Sequence, residues 1–194
     1  MGNQYVDNAG IFLINFLFGF FLLLIMVRMI MGMVRADFKN PISQFIVKLT
    51  NPALVPLRRV IPPMGGIDTA SVLLLFVLQA LEVFLIGAIR GHSIVPAGIA
   101  VLSIAGLLSL LLKVYIFGIL IQVVLSWVSP QGYNPVAYIL YQINEPVLRQ
   151  ARRFVPPISG FDLSPIIVTL VLYLASMLLI APITDLGYQL ARGG

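Results

Sequence analysis

One string occurs twice in this chain, 94 residues apart, and it commits the fold to two like halves. Residues 58–68 read RRVIPPMGGID, and residues 152–162 read RRFVPPISGFD. The register holds upstream without a gap. Asn40-Pro41 aligns with Asn134-Pro135, Pro52 with Pro146, and Leu54 with Leu148; from Asn40 to Asp68, ten of 29 positions are identical. Shared apolar composition does not place Pro, Arg, Asn, Gly and Asp in register, so the chain reads as an internal duplication. The units are repeat one, 10–90, a linker and helix extension, 91–103, and repeat two, 104–185, all within one membrane domain.

Composition says where such a duplication lives. Hydrophobic residues make up 60% of the chain and charged residues 10%, against about 25% charged in soluble domains. The chain is expected to be an integral membrane protein. Cys is absent, which excludes disulfides and thiolate metal sites, and the lone His92 cannot build a metal site or a bis-histidine haem site. No cofactor is expected. No Lys or Arg precedes Arg28, so the first apolar run lacks the basic start of a signal peptide and is expected to be a retained span.

A bilayer core about 30 Å thick takes about 20 apolar residues in a helix. Ile11–Met31, Thr69–Ile89 and Leu163–Ala181 meet this. Pro96–Val128 is longer, about 50 Å at 1.5 Å per residue. Its middle, LLKVYIF, has no Gly, Pro or Asn on which to turn. Ile11–Met31 shifted by 94 falls on Ala105–Leu125, so one long helix is predicted there. Small residues at Ala97, Gly98, Ala100, Ser103, Ala105 and Gly106 suit close helix contact. The expected fold class is an all-α membrane protein of four transmembrane helices from two tandem parallel repeats. Each repeat carries a cytoplasmic-side amphipathic helical hairpin between its spans.

Orientation follows the basic residues. Arg35, Lys39, Lys48, Arg58 and Arg59 follow the first span; Arg149, Arg152 and Arg153 follow the third. Positive-inside places both segments in the cytoplasm and both termini outside. An even number of spans per repeat inserts both the same way up, about a pseudo-two-fold axis along the membrane normal.

The connecting segments carry helix signals. Asn40-Pro41 is a cap followed by a first-turn proline. Ile42, Phe45, Ile46 and Leu49 then form an apolar face, matched by Val136, Ile139, Leu140 and Ile143. Ser43, Gln44 and Lys48 face away in the first copy, and Tyr138, Tyr141 and Gln142 in the second. Asn51-Pro52 and Glu145-Pro146 are expected to start a second short helix ending at the Arg pair. The Pro-Pro that follows forces an extended turn. Asp68 and Asp162 are then expected to cap the next spans, with Ser164-Pro165 an alternative cap in the second copy.

This arrangement resembles the YggT family of bacterial inner-membrane proteins, which has plastid relatives. The resemblance covers essentially the whole chain and is carried by the duplicated NP…P…RRVIPP..GG.D and NP…P…RRFVPP..SG.D strings. Copy two departs mildly, with Ser159 for the first Gly and Glu145 for the Asn before Pro. The resemblance implies a multi-pass inner-membrane location and links to osmotic or potassium stress. In relatives it implies division or the assembly of membrane complexes. It implies no catalytic residues.

Arg58, Arg59, Arg152 and Arg153 are the sharpest site candidates. Guanidinium groups grip phosphate in a bidentate fork, and pairs at headgroup depth near the pseudo-axis suit anionic phospholipid or an acidic partner helix. The competing reading is topological anchoring, or pairing with Asp68 and Asp162. Glu82 and Lys113 lie inside the membrane at the same expected depth, taking Trp127 as an interface marker. They are candidates for an ion pair, functional or merely structural. Their matches, Ser176 and Gly19, carry no charge. Arg28, matched by Gln122, is expected to snorkel to the interface. Trp127 and Tyr133 read as interface aromatics, His92 as a solvated loop residue, and Gly87 with Gly91 as a weak small-residue motif.

An enzyme is the least favoured class, since no nucleophile–base set or metal-ligand cluster is visible. Nothing in the pattern suits nucleic acid. A channel or transporter component, formed in an oligomer, is the alternative. The favoured reading is a non-enzymatic scaffold or assembly factor that binds the bilayer and other membrane proteins.

Overall fold

A computed structural model describes residues 2–91, 95–128, 134–157 and 162–191. The described residues fold into six helices. These are α1 (Gly2–Met33), α2 (Pro41–Val60), α3 (Thr69–Ile89), α4 (Pro96–Val128), α5 (Pro135–Phe154) and α6 (Ser164–Ala191). Four of them, α1, α3, α4 and α6, are long and apolar enough to cross a bilayer. The chain is an all-helical membrane protein. As expected, α4 is one unbroken 33-residue helix.

The four long helices stand in a row. α1 packs on α3, α3 on α4, and α4 on α6, with a smaller contact between α1 and α4, while α1 and α6 do not touch among the described residues. The main core joins the last turns of α1, at Leu22, Ile25, Met26, Ile30 and Met31, to Ile46 and Leu54 of α2 and Leu75 of α3. Val114 of α4 and Ile139 and Ile143 of α5 complete it. A second, smaller cluster joins Ile119, Leu148 and Val168.

α2 and α5 begin and end 94 positions apart, and their starts are built alike. Asn40 accepts from the Ile42 N–H at 2.9 Å, and Asn134 from the Val136 N–H at 2.9 Å, with proline next in each. The two starts also meet. Asn40 Nδ2 donates to Pro135 O at 2.9 Å, and the Asp37 N–H donates to Gln142 Oε1 at 2.9 Å.

Neither segment is a hairpin. α2 runs straight through Pro52 and Pro56, and α5 through Pro146. An interior proline costs about 3 kcal/mol because it removes an N–H and crowds the preceding turn. Burial offsets part of this in α2: Leu54, beyond the first proline, is 0% exposed, and burying a leucine contributes about 1.5–3 kcal/mol. The turn before Pro52 is also pinned by side chains, with Thr50 Oγ1 donating to Ile46 O at 2.7 Å and Arg28 Nη1 to Val47 O at 3.3 Å. In α5, Leu148 is likewise buried beyond Pro146.

Ser43 lies on the buried face of α2 rather than on the polar face expected for it. Ser43, Ile46, Thr50 and Leu54 are buried, while Phe45 and Leu49 are exposed. Ser43 turns inward because its hydroxyl donates to Asp37 O at 2.8 Å, which tucks the start of α2 under its own loop. In α5 the expected Ile139 and Ile143 are buried.

The last helix runs ten residues past the expected end at Ala181. Proline at 182 does not stop it, because a π-helical stretch at Ser176–Ile180 widens the turn just before the residue that lacks an N–H. The extension closes on α4. Gly98 lies against the backbone of Ala191, and Gly187 against Leu102, so the small residues expected to permit close contact do so at Gly98.

Candidate functional site

The polar groups of this apolar protein gather in three places, and the first two are counterparts at the α2/α5 end. In the first half, the Pro62–Asp68 segment folds back on itself. Met64 and Ile67 exchange backbone hydrogen bonds around Gly65 and Gly66, whose φ values of 60° and 80° suit glycine. This turn delivers Asp68 to the start of α3, where it caps the helix by accepting from the Ser71 N–H at 3.4 Å and the Ser71 hydroxyl. Arg58 then reaches Asp68 through both Nε and Nη2.

The second half repeats the theme with one change. Arg152 Nε donates to Asp162 Oδ2 at 2.8 Å, and its Nη1 also engages Glu145 at 2.8 and 2.9 Å. Asp162 sits one residue before the N-cap, Leu163, because Ser164-Pro165 starts the helix; it still accepts from the Ser164 N–H at 2.9 Å. Burial pushes both carboxyls up, but their bonds outweigh it and hold both below the ordinary carboxylate value. The bonds are those of Arg58 and Ser71 at Asp68, and of Ser164 and Arg152 at Asp162. Burial alone lowers the Arg152 guanidinium, and Glu145 and Asp162 more than reverse it.

No hydrogen bond or ion pair joins the first-half arginines to the second-half ones among the described residues. Each pair lies about 26 Å along its own helix from the α2–α5 junction. Arg58 and Arg152 are tied within their own halves. Arg59 and Arg153 are exposed, and among the described residues Arg153 makes only a 3.5 Å contact to Gln150.

Arg28 does not extend as a free side chain. It is 6% exposed and turns onto α2, donating from Nη1 to Thr50 Oγ1 at 2.5 Å and from Nη2 to Asn51 Oδ1 at 2.8 Å. Its counterpart joins the same two positions with donor and acceptor exchanged, Asn144 Nδ2 donating to Gln122 Oε1 at 2.8 Å. Residues 28 and 50 become 122 and 144 under the 94-residue shift. Sequence reasoning missed Thr50 and Asn144 as partners and took Asn51 only as a helix start. The available signal was a polar residue at the same offset in both copies of an amphipathic helix.

Glu82 and Lys113 do not pair. Glu82 is 9% exposed and accepts from Gln79 Nε2 at 2.8 Å, whereas Lys113 is exposed. The register explains this. Gln79 packs onto Gly106, within 3.0 Å of where a Cβ would stand. From that level Glu82 lies three residues one way and Lys113 seven the other, about 15 Å apart along the antiparallel helices. Trp127, exposed on the last turn of α4, is a poor depth marker for its partner helix. His92 and Tyr133 lie outside the described residues.

The third polar place is a cavity of about 600 Å³ between α3, α4 and α6 at the other end of the row. Gln79, Ser109, Thr184 and Tyr188 give it polar groups, Gly87, Gly91 and Gly106 leave it room, and Arg90 lies at its mouth. Among the described residues no three His, Cys, Asp or Glu side chains group as a metal site.

The family model described as CCB3/YggT matches this chain twice, over residues 8–89 and 101–183. Among curated relatives, an uncharacterised protein of Pseudomonas aeruginosa is 42% identical over 96% of this chain and 97% of its own length. The uncharacterised protein YggT of Escherichia coli K12 is 39% identical over 88% of each. The chloroplast protein CCB3 of Arabidopsis thaliana, named for cofactor assembly of complex C, is 34% identical over 36% of this chain and 40% of its own. No solved structure matches.

Proposed function

The chain belongs to the CCB3/YggT family, and on that premise we propose that it is a non-enzymatic scaffold or assembly factor of the bacterial inner membrane. The observation that carries this reading is the fate of the polar side chains. Arg28, Arg58, Arg152, Asp68, Asp162 and Asn144 are engaged in holding α2 and α5 to the spans. What they hold is a two-helix platform whose outer face offers Phe45, Leu49, Tyr138 and Tyr141. The chloroplast relative's name, an assembly protein, agrees in kind. In this reading the platform faces the cytoplasm with both termini outside. Arg59 and Arg153, exposed at the helix ends, are the contacts for an acidic partner or for headgroups at the surface. The family resemblance adds a part in osmotic or potassium stress tolerance.

Photo-crosslinking from Tyr138 and Tyr141 in growing cells tests the scaffold reading. One defined membrane protein is expected at both positions, and its yield should fall when Arg59 and Arg153 become glutamate. Random labelling, unchanged by those substitutions, would sink it.

An oligomeric ion channel or transporter component is the second reading, favoured by the polar groups in the 600 Å³ cavity. Potassium-selective flux in liposomes, abolished by Glu82→Gln, would establish it over the scaffold.

A further inference from the structure

A second cavity, of about 540 Å³, opens in the first half between the last turns of α1, the middle and end of α2, and the turn before α3. Its charged lining is Arg28, Arg58 and Asp68. Two guanidinium groups and one carboxylate sum to +1. Asp68 is already committed to Arg58 and Ser71. Arg28 has only neutral partners, Val47 O, Thr50 and Asn51, and no carboxylate within ion-pair distance among the described residues. A guanidinium has five N–H donors, and these three bonds leave two to spare. A buried charge with no counter-charge in contact is unfavourable, and an anion in the cavity would relieve it.

The second half shows what the same fold does without that charge. Position 28 becomes Gln122, and position 51 becomes Glu145, which pairs with Arg152. The corresponding group there is Arg152, Asp162 and Glu145, summing to −1. The duplication therefore keeps the frame and reverses the local charge.

We propose that the first-half cavity holds the phosphate group of one anionic membrane lipid, gripped by Arg28 and Arg58, and that the second half holds none. Arg28 sits about 7 Å before the end of α1, a depth that suits a headgroup phosphate. Met29, Met33 and Phe38 give the cavity an apolar wall for the acyl chains, and Gly32 and Gly66 keep it open. The site exists whether or not a protein docks on α2 and α5.

The full chain in nanodiscs of phosphatidylcholine doped with phosphatidylglycerol, released into native mass spectrometry, tests this. One phosphatidylglycerol per chain should persist where phosphatidylcholine is lost. Arg28→Gln should weaken its retention about tenfold, the scale of one charge-assisted group. Asp68→Asn keeps a capping residue but removes the negative charge, and should tighten retention; it serves equally if Arg28→Gln does not fold. Equal retention of both lipids, two retained per chain, an unaffected Arg28→Gln, or weaker retention in Asp68→Asn would each overturn the proposal. So would displacement of the lipid by inorganic phosphate, which would mark a soluble-anion site.

Discussion

Gly98 on α4 lies directly against the backbone of Ala191 on α6, and a methyl group at Gly98 would collide with it. The contact locks the far end of the last helix onto the third span. Its partner contact, Gly187 against Leu102, leaves only 2.8 Å between a new Cβ and the leucine Cγ. Gly98→Val is therefore expected to cost at least about 1–3 kcal/mol, the usual scale of overpacking. Gly19→Ala, in open space on α1, should be slightly stabilising, by up to about 1 kcal/mol from helix propensity. Thermal unfolding in detergent compares the two, and equal melting points would refute the contact.

Asn144 is fully buried and gives its amide to Gln122. Asn144→Leu should strand the Gln122 carbonyl and destabilise the protein by about 1–3 kcal/mol, the cost of an unmet buried polar group. Replacing both residues by leucine should recover most of that loss. A double-mutant cycle on denaturation midpoints reads the difference, and additive effects would show that the two side chains do not depend on each other.

Asp68 and Asp162 titrate below the ordinary carboxylate value when folded. A depressed folded pKa means the unfolded chain binds the proton more readily. Their contribution is thus fully present above the unfolded value and is lost as pH falls through the folded one. The contribution of these two carboxylates should hold flat from neutrality to about pH 4 and decline below it. Each partly exposed pair contributes about 0.2–1 kcal/mol, so Asp68→Asn with Asp162→Asn should flatten the acid limb and leave the neutral plateau slightly lower. A melting curve taken at several pH values decides it. An acid limb unchanged in the double variant would place the titration elsewhere.

Glu82 and Lys113, about 15 Å apart along the bundle, should show no energetic coupling. In a double-mutant cycle with Gln replacing each, the interaction energy should fall within the additivity error of about 0.3–0.5 kcal/mol. Glu82 and Gln79, bonded at 2.8 Å, should exceed it. A large Glu82–Lys113 coupling would mean that the register set by Gln79 on Gly106 is wrong.

What the sequence determined by itself is the set of elements whose signals act within a few residues. Asn40-Pro41 and Asn134-Pro135 start α2 and α5 through caps spanning two or three positions. Asp68 starts α3, and the absence of Gly, Pro or Asn from the middle of Pro96–Val128, LLKVYIF, leaves nowhere to turn and makes α4 one helix. Tertiary structure decided the rest, because the deciding energies come from partners far along the chain. Leu54 and Leu148 draw α2 and α5 straight through their prolines only once buried against the spans. Arg28 turns inward because Thr50 and Asn51 stand where α2 docks. Glu82 is parted from Lys113 by an offset between α3 and α4 that only the fit of Gln79 over Gly106 sets. Caps and apolar length are local properties of a string. Register and burial belong to surfaces that meet only after folding, and the charge reversal between the two halves becomes a site only on such a surface.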